Sequence, residues 1–150
     1  MPTHRRQPRP AGIWGESVSD ADEIIKKIAA CLEGKAEFAL VYGSILTERF
    51  NNESDIDIAV FPKKKWRRQP MDWRLSRALA EATNREVDVL YLDSADPIII
   101  MQVLANGKPV VMSNPQAFLS FKARKISEYL DLKRSRQVVE DHLMRGKLDA

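Results

Sequence analysis

Apolar positions along this chain change period several times, and each change marks the border of an element. Ala21, Ile24, Ile25, Ile28, Ala29 and Leu32 recur at helical spacing and stop at Gly34, with Ser19 and Asp22 placed as an N-cap pair. Cys31 falls in this helix as a small core or near-core residue. Phe38-Ala39-Leu40-Val41-Tyr42 is then continuously apolar, which predicts a strand over 37–42 running into Gly43-Ser44. A glycine turn and a short helix are expected next. Ile56, Ile58 and Val60 follow, interleaved with two aspartates and stopped by Pro62. Strand side chains alternate, so Asp55, Asp57 and Ala59 share one face while Ile56, Ile58 and Val60 occupy the other.

Beyond a basic run, Lys63 to Arg68, Pro70 suits a first helical turn, and Met71, Leu75, Ala78, Leu79 and Ala82 give a second amphipathic helix. Residues 86–92 read as a third strand in which Asp88 lies opposite in sense to Val87, Val89 and Tyr91. Pairing it beside the second strand would bring Asp88 next to Asp55 and Asp57. A helix from about Ala95 to Asn106, capped by Gly107, leads to a short extended piece, Pro109 to Met112. From about Pro115 the chain is helical again. Phe118, Phe121, Tyr129, Leu132, Val139 and Leu143 form its apolar stripe, with a polar interval from Lys133 to Gln137.

Composition narrows the class. At 150 residues the chain is long enough for one domain with a real core. Residues 1–16, with Pro2, Pro8, Pro10 and three arginines, read as a flexible basic tail, and 17–150 as the domain. Formal charge is +3, but 24 bases nearly balance 21 acids, so the basicity is local to Arg5, Arg6, Arg9 and the Lys63–Arg68 run. A single cysteine excludes an intramolecular disulfide and any multi-cysteine metal site. No apolar run approaches the roughly 20 residues of a membrane span, and the arginine-rich start lacks a signal peptide's apolar stretch. The expectation is a cytoplasmic protein with no membrane partner. Trp66 within the basic run offers stacking as well as charge to RNA. Such loops are more often plain solvated surface, so direct RNA binding is not expected. His4 and His142 have no companions and read as surface residues, while Trp14 and Trp73 read as packing or tail residues.

The chemistry concentrates in Gly43-Ser44, ten intervening residues, then Asp55-x-Asp57. Neighbouring carboxylates on a mostly buried sheet repel and take up protons unless a positive partner sits against them. A divalent cation is one such partner; solvated acids at a strand end are the plain alternative. An EF-hand does not fit, because Ile56 and Ile58 stand where its loop needs polar spacers and a glycine.

Gly43-Ser44, Asp55-x-Asp57 and a single Asp88 on the next strand together resemble the nucleotidyltransferase superfamily that includes DNA polymerase beta and kanamycin nucleotidyltransferase. Small size and a C-terminal helix containing Tyr129 to Lys133 look most like its minimal branch, the MntA-like antitoxins encoded beside HEPN-domain ribonuclease toxins. The resemblance spans roughly Ser19 to Leu143. It implies an α+β nucleotidyltransferase fold: a small mixed β-sheet flanked by helices, with a long C-terminal helix. It also implies Asp55, Asp57 and Asp88 as catalytic, Mg2+-binding residues, and Gly43, Ser44 and Arg49 as contacts for ATP. Many relatives carry Arg-Gly in the turn where this chain has Thr47-Glu48, which leaves Arg49 as the candidate cation one place later. The function implied is AMP transfer from ATP to a tyrosine of a cognate HEPN ribonuclease toxin, in a hetero-oligomer with it. Two alternatives remain at this point: a non-catalytic antitoxin that masks its partner, and a small-molecule nucleotidyltransferase.

Overall fold

The computed structural model describes residues 20–67 and 73–148. In chain order the elements are α1 (Asp20–Leu32), β1 (Ala36–Tyr42), a 3-10 turn (Gly43–Leu46), β2 (Ile56–Pro62) and a second 3-10 turn (Lys64–Trp66). They continue with α2 (Arg74–Thr83), β3 (Val87–Tyr91), α3 (Pro97–Asn106), β4 (Lys108–Met112) and α4 (Pro115–Leu148). Strand order is β3-β2-β1-β4. β1 is antiparallel to both β2 and β4, whereas β2 and β3 run parallel, joined by α2 as the crossover a parallel pair requires. The sheet is therefore mixed and flanked by helices, as the motif resemblance implied.

Alternation along β1 and β2 divides the core in two. Ala39, Val41, Ile56, Ile58 and Val60 pack on α1 and α2 through Ile24, Ile28, Leu32, Leu75 and Leu79. Phe38, Leu40 and Ala59 pack on α3 and α4 through Ile100, Val103 and Phe121. Phe38 stacks on Phe61 at 4.9 Å between centroids and meets Phe118 edge-on at 5.1 Å, which anchors the first turns of α4.

Several borders differ from the sequence reading. The extended piece after Gly107 is a true fourth strand; Pro109 is accommodated because β4 lies at the sheet edge. α2 begins at Arg74 rather than Pro70, and Pro70 and Met71 lie outside the described residues. Its buried stripe is Leu75, Leu79 and Thr83, with Ala82 exposed. Thr83 is tolerated inside because its hydroxyl donates to the Leu79 carbonyl at 2.7 Å. α3 begins at Pro97 with Asp96 as its cap, the carboxylate accepting from the Ile98 amide at 2.8 Å. The proposed Ser19 cap, the 1–16 tail, Trp14, His4 and Arg68 fall outside the described residues.

Trp66 lies against the α1–α2 core, with Lys35 Nζ 5.2 Å and Arg74 Cζ 4.8 Å from its ring. Cation–π contacts thus already engage its ring. Trp73 and His142 are exposed. Every residue from Leu130 to Gly146 is exposed, so α4 extends as an overhang beyond the body, with Val139 and Leu143 56% and 62% accessible. Among the described residues no helix is long and apolar enough to cross a membrane.

Candidate active site

The register of the sheet assembles the site. Tyr42, the last residue of β1, pairs with Asp57 on β2, and Asp57 pairs with Asp88 on β3. Adjacent strands lie about 4.8 Å apart, so these three side chains form one row across the sheet. The same face is sealed by α3 and α4 over Phe38, Leu40 and Ala59 but opens at the row: Tyr42 and Asp57 are half-buried and Asp88 is exposed. Asp55, one residue before β2, is exposed and of the same parity as Asp57.

The electrostatics follow from this crowding. Burial, then the charge of Asp88, then that of Asp55 push the Asp57 carboxyl above its ordinary range. Burial, then Asp57 and Asp88 push the Tyr42 hydroxyl up as well. Such a row lacks positive charge. Its donors are all hard oxygens, the type that suits magnesium, which takes one or two carboxylates and completes its octahedron with water and phosphate. Among the described residues no three His, Cys, Asp or Glu side chains are gathered tightly enough to ligate one ion together.

Gly43 has φ +76°, and a Cβ there would collide with Asp57 Oδ2. Glycine is required on both counts: the left-handed backbone, and the close approach of the turn to the carboxylate. The short helix expected after Gly43 is a single 3-10 turn, too short for a developed helix dipole to favour anions at Ser44. What remains there is the local hydrogen-bonding capacity of its backbone and hydroxyl. Thr47 closes that turn, its amide and hydroxyl both donating to the Ser44 carbonyl at 2.9 Å. Thr47 Oγ1 in turn accepts from the Arg49 amide at 3.2 Å. Thr47 is thus a structural residue, while Glu48 and Arg49 are both exposed. Arg49 makes no ion pair with the aspartates among the described residues.

Arg85 escaped the sequence reading. It donates to the Asn51 carbonyl at 2.7 Å and to the Ser54 carbonyl at 2.9 Å, and its guanidinium lies 4.5 Å from the Phe50 ring. Asn51 organises the same loop by accepting from the Glu53 amide at 2.8 Å. The clamp ties the approach to Asp55 to the base of β3, where the Ile56 amide donates to Glu86 O at 3.0 Å. Arg85→Ala is expected to lower the thermal midpoint by about 2–4 °C, since the part-buried Ser54 carbonyl and the exposed Asn51 carbonyl lose their donor. Arg85→Lys is expected to recover little, because one ammonium does not reproduce a planar fork spanning two carbonyls. Scanning calorimetry of the two variants checks this. Tyr42 was also missed, although strand alternation puts it on the face of Asp57.

With this geometry in view, residues 23–116 match the family model for polymerase beta nucleotidyltransferases, and the chain belongs to that family. Protein adenylyltransferase MntA of Shewanella oneidensis is 31% identical over 114 residues, 73% of this chain and 78% of that protein. A crystal structure of a toxin–antitoxin with AMP-PNP superposes with TM-score 0.65 at 30% identity, covering 80% of this chain and 98% of that one. A second structure, of a tri-AMPylated S. oneidensis HEPN toxin in complex with MNT antitoxin, gives TM-score 0.55 and 29% identity over 83% and 96% of the two chains.

Proposed function

We propose that this chain is a magnesium-dependent adenylyltransferase that moves AMP from ATP to a tyrosine hydroxyl of a HEPN ribonuclease toxin, neutralising it. The observation that carries this reading is the row in which Asp57 and Asp88 are register partners beside the Gly43 turn. Asp55 and Asp57 would hold magnesium, and Gly43 and Ser44 would receive the triphosphate, with the exposed Arg49 as a countercharge. Magnesium, when bound, neutralises phosphate charge and lowers the pKa of the attacking hydroxyl, which is otherwise roughly 10. Asp88 would also serve as a metal ligand, and its carboxylate would take the tyrosine proton as the phenolic oxygen bonds to the α-phosphorus and pyrophosphate leaves. The product is a phosphodiester on the toxin. Its charge and bulk beside an RNA-cleaving site repel the substrate backbone and block access. The cytoplasm, which supplies ATP and keeps Cys31 reduced, is the compartment that suits this work.

Substoichiometric amounts of this protein, incubated with toxin, ATP and magnesium, should raise the toxin's mass by whole AMP units and stop RNA cleavage. Unchanged mass with inhibition only at equimolar ratio would replace catalysis by masking. The overhang of α4 supports a docking role in either case, because Leu132, Val139 and Leu143 are 44%, 56% and 62% accessible. A chain ending at Ser135 is expected to lose toxin affinity by tenfold or more while binding Mg·ATP as before. Titration calorimetry with each ligand separates the two effects.

A further inference from the structure

Between the Gly43 turn and α3 lies an opening of about 480 Å³, a size that accommodates a small-molecule ligand. It adjoins the carboxylate row directly, for Tyr42 and Gly43 line it. Its other walls are Leu46, Thr47 and, from α3, Ile99, Gln102, Val103 and Asn106. None of these eight residues is charged, so the cavity suits neither phosphate nor a cation. The Tyr42 ring and the Ile99 side chain offer apolar surface to a flat ring, and Ile99 is 43% exposed.

We infer that this cavity holds the purine of the nucleotide and that the side-chain amides of Gln102 and Asn106 read it as adenine. The inference rests on the nucleotidyltransferase reading of the adjoining site: phosphates held at Gly43-Ser44 place the nucleoside end of the same molecule within reach of the opening. Gln102 and Asn106 are one helical turn apart and share a face of α3 with Ile99. Asn106 Nδ2 donates to the Gln102 backbone carbonyl at 3.1 Å, which orients that amide and leaves its Oδ1 to accept. A carboxamide sets a donor and an acceptor side by side, matching the N7 acceptor and N6 donor of adenine. Guanine presents two acceptors, N7 and O6, on that edge, so an amide oxygen would face O6 unpaired.

The experiment uses the full chain in magnesium buffer and titrates ATP, GTP and inorganic tripolyphosphate by calorimetry. Its variants are Gln102→Leu/Asn106→Leu, at exposed helix positions, and the isosteric Gln102→Glu, which removes the donor without altering shape. Wild type should bind ATP roughly tenfold more tightly than GTP. In the double variant ATP affinity should fall to that of GTP, with tripolyphosphate binding unchanged. Gln102→Glu should lose a large part of the same preference. An ATP preference that survives both substitutions overturns the inference, as does equal binding of ATP and GTP to wild type. Loss of toxin binding with ATP binding intact also overturns it and gives the cavity to the acceptor. A wild type that binds none of the three, tripolyphosphate included, would refute the nucleotidyltransferase reading itself and the inference with it.

Discussion

Asp57→Asn is expected to abolish AMP transfer, slowing it by at least about 10²- to 10³-fold, and to raise the melting temperature of the metal-free protein. Both effects have one cause. The carboxyl sits half-buried at the centre of the row, and its pKa in the fold is raised above the ordinary 3.8 by burial, Asp88 and Asp55. A carboxyl raised in this way contributes stability that is fully present below about 3.8 and is lost as pH climbs through the folded value. At neutral pH the ionised Asp57 therefore opposes folding in the absence of a cation, and asparagine removes the opposition. The advantage of the variant should be absent below about pH 3.8, grow above it and level off past the folded pKa. Magnesium with ATP should stabilise wild type, since a ligand bound only by the native state adds to its stability, and should leave the variant almost unmoved. Thermal melts at several pH values, with and without Mg·ATP, give the readout alongside labelled transfer to the toxin. A variant that transfers at the wild-type rate, or that melts below wild type at neutral pH without metal, would refute this account of the row.

Gly43→Ala is the second large effect. Alanine at φ +76° costs about 1–2 kcal/mol of backbone strain, and its methyl would occupy space held by Asp57 Oδ2. Either the turn or the carboxylate must move, and transfer should fall by about 10²-fold with Mg·ATP affinity reduced in parallel. Gly34 supplies an internal control. It has the same φ of +76°, but nothing lies within 4 Å of its hypothetical Cβ. Gly34→Ala should lower the melting temperature by a similar few degrees and leave transfer untouched. Were the two variants to transfer equally well, Gly43 would be a turn residue and nothing more.

Much of this site was legible because its chemistry and its folding use the same short-range signals. Period-two alternation separates Asp57 from Ile56 and Ile58, and it separates Asp88 from Val87 and Val89, so the face of each acid follows from its neighbours alone. The juxtaposition of Asp57 with Asp88 needed only the pairing of two successive strands. Arg85 could not be found in this way. Its carbonyl partners are 31 and 34 residues distant and belong to backbone that any residue type supplies, so no side-chain pattern marks them. Tyr42 was visible in principle, but as the end of an apolar run it looks like core; only the open end of the sheet distinguishes it from Phe38 and Leu40. The exchange of Ala82 for Thr83 reflects a helical stripe that is ambiguous by one residue where apolar and small polar side chains adjoin. β4 was reduced to an extended piece because Pro109 argues against an interior strand and sequence alone does not reveal an edge.

The overhang of α4 also bears on how the molecule opens and closes locally. From Leu130 to Gly146 no side chain is buried, so this stretch is held by its own turn-to-turn hydrogen bonds and little else. A single helix of that length is marginal in water, and its unravelling need not disturb the aromatic cluster around Phe38. In the free chain its amides should exchange with deuterium orders of magnitude faster than those of β1 and β2, and proteases should cut there first. Slow exchange in that stretch would then report occupancy by a partner. A cell that degrades uncomplexed chains from this end would keep mainly those already engaged.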